Sequence, residues 1–447
     1  MKKKLFGTDG IRGEVNKFPI KAKYLEKIAI AIISSFSGNI KNVIIGKDTR
    51  QSCDMIEKAL VSGFNSVKVA CSSLGVVSTP ILSFYTKKMN FNLGIMISAS
   101  HNPYTDNGIK IFGRNGEKIT EAEEEKIENY FLASVQKKFS DVNLDFLKVD
   151  LAEYEDFLKR NIPGNMNIKG MKIFLDCANG ALSEIAPLIF NKLGAYISHI
   201  GCNPNGTNIN DNCGATFPRI LSENTVKTNS NIGFAFDGDA DRVIISDEKG
   251  NIIDGDDILV SIGAYLKKKK LLENNHLVTT KMSNLGFREH LKKRGINVFL
   301  TEVGDKYVIE EMKRINAVVG GEQSGHTIFS SNGYCGDGLL TAFFILTIIG
   351  DLNCKSSKIS NLFEKYPQRL VNIKLKVKKE DILSNDEVKT MVNNFLIDKQ
   401  FTTDISIRKS GTENLIRLMV QCDCELQLLK IINKLQKKIN EINQTKS

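Results

Sequence analysis

The chain has 447 residues, too many for one ordinary hydrophobic core, and its length suggests about three domains. Hydrophobic residues at 42% and charged residues at 25% are ordinary for a soluble globular protein, and no apolar run approaches the roughly 18 residues that cross a bilayer. The formal charge of +10 invites a nucleic-acid reading, but the lysines are dispersed, tryptophan is absent, and no RNA-recognition motif or aromatic stacking pattern accompanies them. A solvated, lysine-rich surface is the reading, with a mild positive field that suits an anionic small substrate.

The start, Met1-Lys2-Lys3-Lys4, runs into Leu5-Phe6-Gly7-Thr8-Asp9 and has no apolar segment of a signal peptide. The nine cysteines are odd in number and scattered, and Cys422 and Cys424 stand too close for a zinc knuckle. Reduced thiols in a cytoplasmic protein, with no membrane and no nucleic-acid partner, are the expectation.

In chain order, Gly7-Thr8-Asp9-Gly10-Ile11-Arg12-Gly13 is a glycine-rich turn that brings backbone and Arg12 close to something. Val43 to Gly46 reads as a strand feeding the polar loop Lys47-Asp48-Thr49-Arg50 and then a helix. Leu93 to Ile97 reads as a buried strand ending in Ser98-Ala99-Ser100-His101-Asn102-Pro103. A hydroxyl held at the end of a buried strand is placed for a nucleophile or phosphate carrier, although Ser98 or Ser100 capping the next turn is the plainer alternative. The charged stretch Lys137 to Asp150 gives way to a helix over Leu151 to Asn161, stopped by Pro163-Gly164. Met171 to Leu175 runs into Asp176-Cys177-Ala178-Asn179-Gly180, repeating the strand, polar loop, helix order.

Between the apolar runs Ile232 to Phe236 and Val243 to Ile245 lies Asp237-Gly238-Asp239-Ala240-Asp241-Arg242. Three carboxylates at alternate positions repel one another unless a cation sits among them. Hard oxygen ligands separated by small residues point to Mg²⁺, which would need a further ligand such as a phosphate oxygen. A plain Asp-Gly hairpin is the alternative. A domain boundary is expected near Asp254 to Asp257, and Lys267 to Lys270 close a helix. Leu277 to Thr280, before Lys281-Met282-Ser283-Asn284, is the third strand-then-polar-loop unit.

Gly320-Gly321-Glu322-Gln323-Ser324-Gly325-His326 follows the apolar Ala317 to Val319. Its carboxylate, hydroxyl and imidazole suit a polyhydroxylated ligand, against the alternative of a simple turn. After Tyr366-Pro367, Val371, Ile373, Leu375 and Val377 alternate with polar residues as on a half-exposed strand. Arg408-Lys409-Ser410-Gly411-Thr412-Glu413, with Arg417, offers cations, hydroxyls and free backbone N–H groups to a phosphate, or else a helix cap at Ser410 or Thr412. Leu426, Leu429, Ile432, Leu435 and Ile439 mark a closing amphipathic helix. The pattern predicts three related α/β units with mixed, mostly parallel sheets and a smaller C-terminal α+β domain. A strand-end serine, an aspartate triad, a hydroxyl-reading loop and a phosphate clamp together suit phosphoryl transfer on a phosphosugar.

These five loops, in this order, resemble those of the α-D-phosphohexomutases, and the resemblance covers essentially the whole chain. Gly7 to Gly13 is similar to the N-terminal loop of members acting on glucosamine phosphates. The resemblance implies four domains around a central cleft, with boundaries at 1–150, 151–254, 255–367 and 368–447. It implies interconversion of glucosamine 6-phosphate and glucosamine 1-phosphate, supplying UDP-N-acetylglucosamine synthesis, through a phosphorylated Ser100 and a bisphosphorylated sugar. It makes Ser100, with Asp237, Asp239 and Asp241, the ligands of one Mg²⁺ per chain. Lys110 would stabilise charge or act as base, with Arg12, His101 and Arg242 near it and His326 as the other proton mover. Glu322, Ser324 and Gly325 would read the sugar. Arg408, Ser410, Gly411, Thr412 and Arg417 would hold the non-reacting phosphate, with a hinge near Pro367. Asn414 stands where the family has proline, a softer turn that removes no ligand. An activating kinase or a bisphosphorylated sugar would load Ser100, and a homodimer is a further expectation. A phosphomannomutase or phosphoglucomutase of the same fold, or a non-catalytic relative, are the competing readings.

Overall fold

Strands rich in branched aliphatic residues organise four sheets. The computed structural model describes residues 5–7, 9–36, 40–133, 142–376, 382–409 and 415–445. Val377, Lys137 to Asp141 and residues 410–414 lie outside them. The chain divides into two compact units, Met1–Thr280 with Phe299–Leu362, and Lys281–Val298 with Phe363–Ser447.

The first sheet contains β1 (Ile11–Glu14), β2 (Asn42–Lys47), β3 (Ala70–Val76), β4 (Leu93–Ile97), β5 (Asp106–Gly113) and β6 (Asp145–Phe146), in the order β1-β5-β4-β2-β3-β6. β2 runs parallel to β3 and β4, while β5 turns back antiparallel beside β4 and β1 pairs antiparallel with β5. β4 is buried at every position, as expected for a strand covered on both faces. Leu25, Ile28 and Ile32 of the helix Ala22–Ser35, and Ile56, Leu60 and Phe64 of the helix Cys53–Asn65, join Val43, Ile45, Ile95 and Ile97 in one core.

The second sheet holds β7 (Lys172–Asp176), β8 (Tyr196–Ile200), β9 (Ile232–Phe236), β10 (Val243–Asp247) and β11 (Ile252–Ile253), ordered β11-β10-β9-β7-β8. The third holds β12 (His276–Thr280), β13 (Asn297–Thr301), β14 (Val319–Gly321) and β15 (Thr327–Phe329), ordered β13-β12-β14-β15. Each repeats the logic of the first: parallel strands, then an antiparallel hairpin. The hairpins β4–β5, β9–β10 and β14–β15 carry the serine, aspartate and Glu322 loops. The repeat therefore places one chemical loop at the same topological position in each α/β layer.

Asp254 caps the helix Gly255–Lys268 with a reciprocal capping box. Its last turn carries Lys267 and Lys268. The apolar run Phe343 to Ile349 belongs to the helix Gly338–Leu352, which is buried from Gly338 to Ile349 and serves as a core helix. No helix among the described residues is long and apolar enough to cross a membrane. All nine cysteines are free thiols.

In the second unit, β16 (Gln368–Lys374), β17 (Thr403–Lys409) and β18 (Leu415–Cys422) form an antiparallel sheet ordered β16-β18-β17. The closing helix Glu425–Thr445 buries Leu428, Ile431, Ile432, Leu435 and Ile439 against it. The sequence-based stripe began at Leu426, which is instead 79% exposed. The true apolar stripe starts two residues later, because packing against β18 sets the helix phase.

Candidate active site

The loop after β4 is held by its backbone. Ser100 has φ 54°, in the left-handed region that a residue with a Cβ rarely enters. Its N–H donates to Ser98 Oγ at 2.8 Å, and the Ser98 hydroxyl donates to Asp48 Oδ2 at 2.7 Å. Ser98 therefore spends its hydroxyl inside the loop. The Ser100 hydroxyl points the other way and donates to Asp237 Oδ2 at 2.6 Å.

The aspartate loop is a hairpin whose turn brings its three carboxylates together. Phe236 pairs with Val243 across the β9–β10 hairpin, and that hairpin gathers the three carboxylates within 4.8 Å of one another, all buried. Gly238 is needed at this junction: a Cβ there would lie 2.5 Å from the Ser100 carbonyl oxygen. Burial and the like charges of Asp241 and Asp239 push the Asp237 carboxyl up to about 8.

Lys110 answers part of that charge. β1 pairs Arg12 with Gly108 and so brings the N-terminal loop beside Lys110, which is 1% exposed. Its ammonium donates to Asp239 Oδ2 and Asp241 Oδ2, both at 2.7 Å, and lies 3.2 Å from Asp9 Oδ2. Burial opposes the charge, but these carboxylates outweigh it and hold Lys110 well above the ordinary lysine range. Burial likewise opposes ionisation of Asp241, yet Lys110 and Arg242 hold it well below the usual carboxylate range.

The other oxygens, Asp239 Oδ1 and Asp241 Oδ1, are buried with no hydrogen-bond partner. Two orphaned carboxylate oxygens beside Asp237 fit a hard divalent cation, and this triad is the one such cluster among the described residues.

His101 Nδ1 lies 3.3 Å from Ser100 Oγ and 3.1 Å from an Arg242 Nη1. Burial, with Arg242 and Arg12 nearby, lowers the imidazole to about 4, so it is neutral at pH 7. Arg12 pairs with Asp9, and Lys118 bridges Asp9 and Asp305.

The Glu322 loop docks directly on the aspartate hairpin. The Val243 N–H donates to Gly325 O at 3.1 Å, and Gly325 has φ 90°, with room for no Cβ against Val243. Glu322 Oε1 accepts from the Gly304 N–H at 3.1 Å, and burial raises its carboxyl. His326 is 2% exposed with Nε2 4.0 Å from Asp305 Oδ2. Ser324 is exposed. Ser100, His101, Lys110, Arg12, the three aspartates, Arg242, Glu322, Gly325 and His326 thus belong to a single compact unit.

The second unit carries the remaining candidates. Arg408 on β17 and Arg417 on β18 are directly opposite in register. Like charges so placed destabilise a sheet unless an anion joins them, and Arg417 Nε is buried without a partner. Ser410, Gly411 and Thr412 lie outside the described residues.

Sequence reasoning did not single out Asp9, Asp48, Arg50, Thr79, Lys118, Asn210 or Asp305. Thr79 donates to Asp239 Oδ2 at 2.5 Å, and Asn210 Nδ2 donates to Ser100 O at 2.9 Å. The signal available for Asp48 and Arg50 was a polar loop at the end of a buried strand.

Models of the phosphoglucomutase/phosphomannomutase α/β/α domains I, II and III match residues 3–138, 152–250 and 254–368. A phosphoglucosamine mutase of Staphylococcus haemolyticus is 42% identical over 430 residues, 94% of this chain and 95% of its own length. One of Carboxydothermus hydrogenoformans is 40% identical over 447 residues, 97% of this chain and 100% of its own. In fold, the chain is similar to a phosphoglucomutase/phosphomannomutase family protein of Burkholderia thailandensis, with TM-score 0.77, 20% identity, and 97% and 96% of the two chains covered. It is also similar to an Aspergillus fumigatus N-acetylphosphoglucosamine mutase in complex with GlcNAc-6P and magnesium, with TM-score 0.65, 14% identity, and 98% and 96% covered. Three domain models in order and two relatives matched over 94% or more of this chain agree with the loops just described: the chain belongs to the phosphoglucomutase/phosphomannomutase family of isomerases, in its phosphoglucosamine mutase branch.

Proposed function

We propose that this enzyme interconverts glucosamine 6-phosphate and glucosamine 1-phosphate, with Ser100 as phosphate carrier and Mg²⁺ held by Asp237, Asp239, Asp241 and the Ser100 phosphate. The observation that carries this reading is the Ser100 hydroxyl 2.6 Å from Asp237, beside two carboxylates with unpartnered oxygens. In the forward half-reaction, the phosphoryl group leaves Ser100 Oγ for O1 of the sugar, giving a bisphosphate. The proton of the sugar hydroxyl is removed, and Ser100 Oγ ends protonated. In the second half-reaction the 6-phosphoryl group returns to Ser100.

When bound, Mg²⁺ neutralises and polarises the transferred group. Lys110, Arg12 and Arg242 supply fixed positive charge where negative charge spreads over the phosphoryl oxygens. Lys110 donates to two carboxylates and serves as a cation, and His326 is assigned as the group that takes the sugar proton. Asp305 stands beside it. Glu322 accepts from vicinal sugar hydroxyls. Arg408 and Arg417, with Ser410, Gly411 and Thr412, hold a phosphate. A kinase or a bisphosphorylated sugar places the first phosphate on Ser100.

Arg417→Ala is expected to raise KM more than it lowers kcat, because a non-reacting phosphate is held alike in ground and transition states. Steady-state kinetics check it, and a collapsed kcat with unchanged KM would place Arg417 elsewhere.

Glu322 can reach hydroxyls that glucose and glucosamine share, so preference rests on a group near C2. A charge-assisted hydrogen bond to the ammonium there, worth about 1.5–3 kcal/mol, gives roughly ten- to hundredfold preference. The test compares kcat/KM for glucosamine 6-phosphate, glucose 6-phosphate and mannose 6-phosphate at one Mg²⁺ concentration. Equal or better use of either hexose phosphate would assign the chain to hexose phosphates instead.

A further inference from the structure

We infer that Arg50, braced by Asp48, is the positioning residue for the phosphate carrier: it sets where Ser100 Oγ stands relative to the aspartate triad. The proposal rests on Ser100 as the carrier.

Arg50 and Asp48 are 2% and 1% exposed. The Arg50 Nε donates to Asp48 Oδ2 at 2.9 Å. One Nη donates to the carbonyls of Pro103 at 2.5 Å and Asp106 at 3.0 Å, and the other to those of Ser100 and Asn102, both at 2.9 Å. All five guanidinium hydrogens therefore have acceptors: Asp48, three carbonyls of the serine loop and that of Asp106 at the start of β5. Asp48 is filled as well. It accepts from the Arg50 N–H at 3.1 Å, from Cys53 Sγ at 3.2 Å and from the Ser98 hydroxyl that fixes the Ser100 N–H. The ion pair thus holds the Ser100 carbonyl directly and its amide through Ser98, in a residue of left-handed conformation.

The same short loop reaches the layer that carries the aspartates. Thr49 Oγ1 donates to Asn179 O at 2.5 Å, and the Gln51 N–H donates to Gly206 O at 2.9 Å. From that layer, Asn210 Nδ2 returns to the carbonyls of Ser100 at 2.9 Å and Asn102 at 3.1 Å. The Ala181 N–H holds Gly238 O, inside the aspartate loop, at 2.8 Å. The Ser100 carbonyl is therefore shared between Arg50 behind it and Asn210 beside the triad.

A buried ion pair is a poor source of stability, since apolar packing of the same volume does as well. What this one provides is geometry, at a place where a displacement of about 1 Å can cost about 10²-fold in rate. A lysine keeps the charge but lacks the planar fork that reaches several carbonyls at once.

The experiment uses the full chain with Ser100 phosphorylated beforehand, as wild type, Arg50→Lys and Asn210→Ala. Single-turnover transfer of phosphate from Ser100 to glucosamine 6-phosphate, kcat, KM, the apparent Mg²⁺ constant and the thermal midpoint are measured for each. For Arg50→Lys, folded at the assay temperature, transfer and kcat are expected to fall about 10²-fold with KM changed by less than about threefold, and the apparent Mg²⁺ constant to rise. Asn210→Ala is expected to show the same split with a smaller loss, about tenfold. Folded Arg50→Lys with transfer within about threefold of wild type would overturn the proposal. If Arg50→Lys does not fold, undiminished transfer in Asn210→Ala overturns it. Wild type that never passes phosphate from Ser100 would remove the carrier reading itself, a separate outcome.

Discussion

Ser100→Ala is expected to abolish mutase turnover while leaving the fold intact. The side chain removed makes two contacts, to Asp237 at 2.6 Å and to His101 at 3.3 Å, and the loop's shape is held by backbone groups that alanine retains. Alanine at φ 54° carries the same modest strain that serine already bears there. Intact-protein mass spectrometry should find a phosphate-sized increment on part of the wild-type protein and none on the variant. Phosphate mapped to Ser98, with Ser100→Ala fully active, would refute the assignment. Ser98 is an unsuitable carrier on geometric grounds, because its hydroxyl is committed to Asp48 and accepts the Ser100 N–H.

Asp239→Asn is expected to lower kcat by at least about 10²- to 10³-fold, the cost of removing one preorganised charge-stabilising group. The amide keeps an oxygen to accept from Thr79 and Lys110, so the hairpin persists. It removes one of the charges that raise Asp237 and also a carboxylate that faces the buried Lys110 ammonium, so the two effects oppose each other and the unfolding midpoint is expected to shift little. The readouts are kcat as a function of Mg²⁺ and the unfolding midpoint. Wild-type activity with an unchanged Mg²⁺ response would leave Asp239 as a turn residue of the hairpin and no more.

Much of this site was legible in the sequence because its loops are local. The buried runs Leu93 to Ile97 and Ile232 to Phe236 are strands, and each ends where the polar residues begin. The hairpin and metal readings of Asp237 to Asp241 proved compatible, since the hairpin is what gathers the carboxylates. What a sequence hides is partnership at long range. Lys118 meets Asp305 across 187 positions, and Lys110, to which only the family resemblance pointed, meets Asp241 across 131. In the chain, Lys118 looks like any other lysine on a lysine-rich surface. Arg50 was hidden for the same reason: its four carbonyl acceptors carry no side-chain signature. Leu426 was misplaced because a helical stripe has a period but no origin, and only packing against β18 fixes its phase.

The central claim is that phosphate reaches the sugar from Ser100. A chase measures this most directly. Enzyme carrying radiolabelled phosphate on Ser100 is mixed, in Mg²⁺, with unlabelled glucosamine 6-phosphate, and protein-bound and sugar-bound label are followed through the first turnover. The label is predicted to leave the protein at a rate no slower than kcat and to appear first in the bisphosphorylated sugar and then in the sugar monophosphates. Label that stays on Ser100 while glucosamine 1-phosphate accumulates would contradict the account.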